Sequence, residues 1–133
     1  MKKLIFLLSL AFALNTAKGQ IAKVTDDIAN GTAIIYKATG NRLVQTGQIL
    51  HTPMIEGVFG HTEKYVVLTS NNIFEGMYLK TYDIYGNNIA KIAISEDLSK
   101  NYRVSLTESA IVFTGKQGQG KVRYSYTTGK LLK

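Results

Sequence analysis

The chain has 133 residues, with no cysteine, no tryptophan, one proline and a formal net charge of +7. Without cysteine there is no disulfide framework, no thiolate metal site and no thiol nucleophile, so stability must come from strand pairing and packing. One proline and twelve glycines argue against a disordered tail.

Lys2 and Lys3 precede an apolar run from Leu4 to Leu14, and Ala17-Lys18-Gly19 places small residues at the two positions a signal peptidase reads. The run is too short to cross a bilayer, which takes about 20 apolar residues. Residues 1–19 therefore read as a signal peptide cleaved before Gln20. No stable membrane span is expected afterwards, and the product is exported to the periplasm or the cell exterior. No cysteine stands near the cut to carry a lipid anchor. Lys2, Lys3 and Lys18 leave with the segment, so residues 20–133 carry 13 basic against 9 acidic residues, a net +4. That is ordinary for a small soluble domain and removes most of the case for nucleic acid as a partner.

Residues 20–133 form one domain's worth of chain, and strand signals run through it almost continuously. Asp26-Asp27 and Asn30-Gly31 read as a turn, since the calcium-loop spacing of an EF-hand is missing. Ala33 to Val44 reads as strand, turn at Gly40, strand. Tyr65-Val66-Val67-Leu68 is apolar without alternation, which predicts a central strand buried on both faces. Leu79 to Ile94 is the clearest hairpin, with Gly86 supplying the positive φ that its tight turn demands and Asn87 and Asn88 tolerating it. Ser95 to Lys100 predicts a single capped helical turn. Tyr102, Val104 and Leu106 alternate with Arg103, Ser105 and Thr107, and Val122, Tyr124 and Tyr126 alternate with Arg123, Ser125 and Thr127. This period of two turns one face inward and the other to water. Between them, Gly115 to Gly120 reads as a hairpin tip, because a phosphate-binding loop would be followed by a helix.

Gly40, Gly86 and Gly129 stand 46 and 43 residues apart, which marks three repeated units. Val24-Thr25 with Ile28, Leu68-Thr69 with Ile73, and Leu106-Thr107 with Ile111 precede the three hairpins in the same order. The fold class is therefore all-β: an antiparallel meander of about eight or nine short strands in three hairpin-based units. A small sandwich, a barrel or a blade-like stack would each accommodate it.

Tyr126-Thr127-Thr128-Gly129-Lys130-Leu131-Leu132 resembles the outer hairpin of a quinoprotein-type β-propeller blade. Tyr82-Asp83-Ile84-Tyr85-Gly86 is similar to one unit of the Tyr-Asp repeats of large bacterial surface toxins. The resemblance implies blade-like antiparallel strands. It brings no cofactor with it, because the tryptophan that docks neighbouring blades is absent and three units fall short of four to eight blades. Incomplete units of this kind could self-associate to close a ring.

Three groups of residues are candidates for function. His51, His61 and Glu63 lie within one segment and could hold a metal ion with an open position, although their spacing matches no established zinc pattern. Tyr78, Tyr82, Tyr124 and Tyr126 lie on or beside hairpins and serve either as core or as a platform for stacking sugars. Lys116, Lys121, Arg123, Lys130 and Lys133 form a basic end that could meet an anionic polymer or an acidic partner. No catalytic set assembles, since no serine sits in a Gly-x-Ser-x-Gly turn. The expected function is a non-enzymatic binding module of the bacterial cell envelope whose partner is an envelope protein or polysaccharide. The alternative is a small secreted metal-dependent hydrolase using the two-histidine segment.

Overall fold

A computed structural model describes residues 20–72, 74 and 76–132. The expected signal peptide, Ile73 of the second unit and Lys133 of the basic end lie outside the described residues.

Three antiparallel meanders follow one another along the chain. The first sheet contains β1 (Lys23–Asp27), β2 (Thr32–Thr39) and β3 (Arg42–Leu50). The second contains β4 (Glu56–His61), β5 (Val66–Asn72), β6 (Gly76–Tyr82) and β7 (Asn88–Ile94). After α1 (Glu96–Asn101), the third contains β8 (Tyr102–Leu106), β9 (Ile111–Gly115), β10 (Lys121–Tyr124) and β11 (Leu131–Leu132). Within each sheet strands pair in sequence order, and no sheet closes into a barrel.

Among the described residues there are eleven strands where about eight or nine were expected. The main addition is β4, in the segment that holds His51, His61 and Glu63. Gly57 and Gly60 depress its strand propensity, yet β4 adds to β5 as an edge strand, with Phe59 bulged out of the ladder between Val58 and Gly60. Gly40, Gly86 and Gly129 turn the last hairpin of the three sheets with φ of 65°, 87° and 70°. That left-handed region is costly for residues with a Cβ. The third echo is displaced, however: Leu68-Thr69 lie on the second strand of their sheet, whereas Leu106 ends the first strand of its own. The Ser95 side chain accepts from the Leu98 amide at 3.1 Å and caps α1, whose first turn carries Glu96 and Asp97.

The sheets stack through two separate cores. Ala33, Ile35 and Ile49 of the first sheet meet Val66, Leu68 and Tyr82 of the second. On the other face, Val67, Leu79 and Ile92 meet Ile111, Phe113 and Tyr126. Val66, Val67 and Leu68 are all fully buried, so β5 is the two-faced central strand its unbroken apolar run predicts. Backbone also meets backbone. Gly47 on β3 faces the Tyr85 main chain so closely that a Cβ there would lie 2.3 Å from the Tyr85 carbonyl carbon. Thr46, the extra residue where β3 bulges, donates its hydroxyl to the Ile84 carbonyl at 2.7 Å. The β6–β7 turn is thereby fastened to the first sheet.

Candidate functional site

The chemically richest side chains are used in holding the first two sheets together. His51 follows β3 directly, and its side chain has no solvent exposure. Its Nε2 stands 2.8 Å from Asp26 Oδ1, while the other carboxylate oxygen accepts from the Val58 amide at 2.8 Å. One carboxylate thus ties β1 to the loop after β3 and to β4. Glu56 repeats the device: Oε1 accepts from the Thr52 amide at 2.8 Å, and Oε2 meets Lys80 Nζ at 2.6 Å. Burial alone would raise the Glu56 pKa. The Lys80 ammonium, the Thr52 amide and the Ser70 hydroxyl outweigh it and bring the pKa down from 4.5 to about 2.

The three residues considered for a metal are not brought together. His51 is committed to Asp26, whereas His61 ends β4 with Nδ1 2.9 Å from the Thr62 carbonyl. Glu63 Oε1 accepts from Gln20 Nε2 at 3.5 Å. Among the described residues no group of three or more His, Cys, Asp or Glu could hold a metal ion.

The four tyrosines do not form one surface either. Tyr82 lies in the core between the first two sheets and Tyr126 in the core between the last two, at 8% and 3% exposure. The Tyr126 ring stacks on Tyr65 with centroids 4.8 Å apart, and its hydroxyl donates to the carbonyls of Thr107 and Ala110 at 2.6 and 3.1 Å. Tyr124 packs edge-on against Phe113. Tyr78 is half-buried, with the Lys91 ammonium 4.1 Å from its ring centroid. Strand parity indicates which residues share a face, but not whether another sheet lies on it.

Among the concave surfaces of the described residues are two with linings of opposite character. The first is an apolar groove of about 130 Å³ between the second and third sheets, lined by Phe59, Met77, Tyr78, Leu98, Tyr102 and Phe113 among others. The bulge in β4 directs Phe59 to its rim. The second is the outer face of the third sheet, a hollow of about 320 Å³ lined by Ser105, Thr107, Ser109, Thr114, Lys121 and Arg123 around Val112. The register places Arg103 on the same face, because Arg103 and Lys121 both pair with Thr114. The polar halves of the alternating β8 and β10 sequences carried this signal. They become one surface because β9 lies between those two strands. Lys116 is engaged elsewhere, donating to the Lys100 carbonyl at 2.9 Å.

Compared with protein-family models, curated proteins and solved structures, the chain matches none. Among the described residues no helix is long and apolar enough to cross a membrane.

Proposed function

We propose that the protein is an exported, non-enzymatic binding module of the bacterial cell envelope, which holds an envelope protein or polysaccharide on an open sheet face. The observation that carries this reading is the outer face of the third sheet, where cationic and hydroxyl side chains surround a hollow that no other element covers among the described residues. The interior histidine and carboxylate pairs are better understood as fasteners between strands, since each joins segments distant in sequence. Export rests on the basic start, the apolar run and the small residues of the first nineteen positions.

The test is affinity capture with the full chain, tagged at its C-terminus and produced in its native cell, from the envelope fraction. Retention of one stoichiometric protein, or of polysaccharide, supports a binding module. A protein that stays in the cytoplasm and retains nothing overturns the reading.

A further inference from the structure

We infer that the outer face of the third sheet is a site for a linear anionic polysaccharide, with Arg103, Lys121 and Arg123 meeting its acidic groups. This deepens the binding-module reading and rests on it. Arg103 and Lys121 stand on the strands flanking β9, in register with Thr114 and about 10 Å apart across the sheet. Arg123 lies two residues along β10, about 7 Å from Lys121. All three are exposed, and among the described residues none forms an ion pair. Glu108, the acid in the β8–β9 turn, has its Oε1 3.4 Å from the Glu63 amide. The face therefore keeps its positive potential. The hydroxyls of Ser105 and Thr114 likewise make no hydrogen bond among the described residues, and remain available between the cations.

The chemistry of this face selects among polyanions. Its lining contains no aromatic side chain, so it lacks the stacking platform on which single-stranded nucleic acid rests. Val112 is its one apolar lining residue and is 7% exposed, so no apolar wedge projects into a lipid interface and no large anchor offers a protein hot spot. Cations spaced along a hollow and interleaved with hydroxyls complement a chain that alternates acidic groups and sugar hydroxyls. Arginine adds paired donors suited to carboxylate or sulfate.

The experiment measures binding of the purified full-length protein to polygalacturonate, dextran sulfate, neutral dextran, poly-L-glutamate and phosphatidylglycerol vesicles. The expected result is binding to polygalacturonate or dextran sulfate, none to neutral dextran, and weakening as salt rises from about 50 to about 300 mM. The triple variant Arg103→Gln, Lys121→Gln, Arg123→Gln should bind at least about tenfold more weakly at unchanged melting temperature, because each contact it removes is charge-assisted. Lys23→Gln, Arg42→Gln, Lys64→Gln removes the same charge from exposed positions elsewhere and should stay within about twofold. Equal or tighter binding to poly-L-glutamate, or to the vesicles, overturns the assignment in favour of an acidic protein or a membrane surface. Equal losses in the two triple variants, or none in the first, also overturn it. If the first variant still retains the partner captured from the envelope, this site fails while the binding module stands. If the unaltered protein captures nothing, the module itself fails.

Discussion

The Thr81 hydroxyl donates to the Tyr126 carbonyl at 2.7 Å, a bond from the second sheet to the third made by a side chain with no solvent exposure. Thr81→Val preserves the shape and removes the donor, leaving a buried carbonyl without its partner. The expected loss is about 1–3 kcal/mol, read as a lower urea midpoint at unchanged slope. An unchanged midpoint would mean that the carbonyl finds another donor.

Gly86 combines a φ of 87° with a position where a Cβ would stand 2.3 Å from the Gln48 carbonyl oxygen. Gly118 shares the conformation, at 81°, but has open space around it. Gly118→Ala should therefore cost about 1–2 kcal/mol of backbone strain, and Gly86→Ala distinctly more, because the turn must also retreat from β3. Thermal melting of the two variants separates the terms. Equal losses would show that the turn is not held against the first sheet.

Acid should weaken the junction between the loop after β3 and β6. The Glu56 pKa lies at about 2 in the folded protein, below its ordinary 4.5, so the folded state binds its proton less readily than the unfolded one. The resulting stability is complete above about 4.5 and is lost as pH falls toward 2, amounting to on the order of 3 kcal/mol. Glu56→Gln should flatten this limb in urea titrations between those values. A limb as steep in the variant as in the parent would place the acid sensitivity elsewhere.

Alkali acts at the other core. Burial, reinforced by the Glu108 charge, holds the Tyr126 pKa well above the usual phenolic value, so the unfolded chain releases this proton first. Stability should then decline as pH rises past about 10. Tyr82, also raised chiefly by burial, acts in the same direction. Tyr126→Phe is expected to lessen the slope without abolishing it, as followed by chemical denaturation from pH 8 to about 11. A slope identical to the parent's would remove Tyr126 from the account.

Much of the architecture was legible because it is local. The turn glycines, the alternation on β8 and β10 and the solid apolar run of β5 each state a backbone requirement within a few residues. β4 was hidden because Gly57 and Gly60 obscure its strand character, and its pairing with β5 depends on that neighbour. The candidate site was read less well. The partner of His51 is Asp26, 25 residues upstream, and nothing near either residue announces the other. Tyr82 lies on a strand face as expected, whereas Tyr126, read as continuing the β10 alternation, lies in the turn after Tyr124; whether such rings form platforms or cores depends on how the sheets stack. The basic end was visible as composition. Its organisation with Arg103 required the order of strands in the third sheet.

Strand pairing that never leaves a sheet also bears on how the chain acquires its shape. Each meander can close through short loops alone, so its ordering costs little chain entropy and depends on no distant segment. Long-range organisation is deferred to the docking of the first and third sheets onto β5, and that docking should limit the speed of folding.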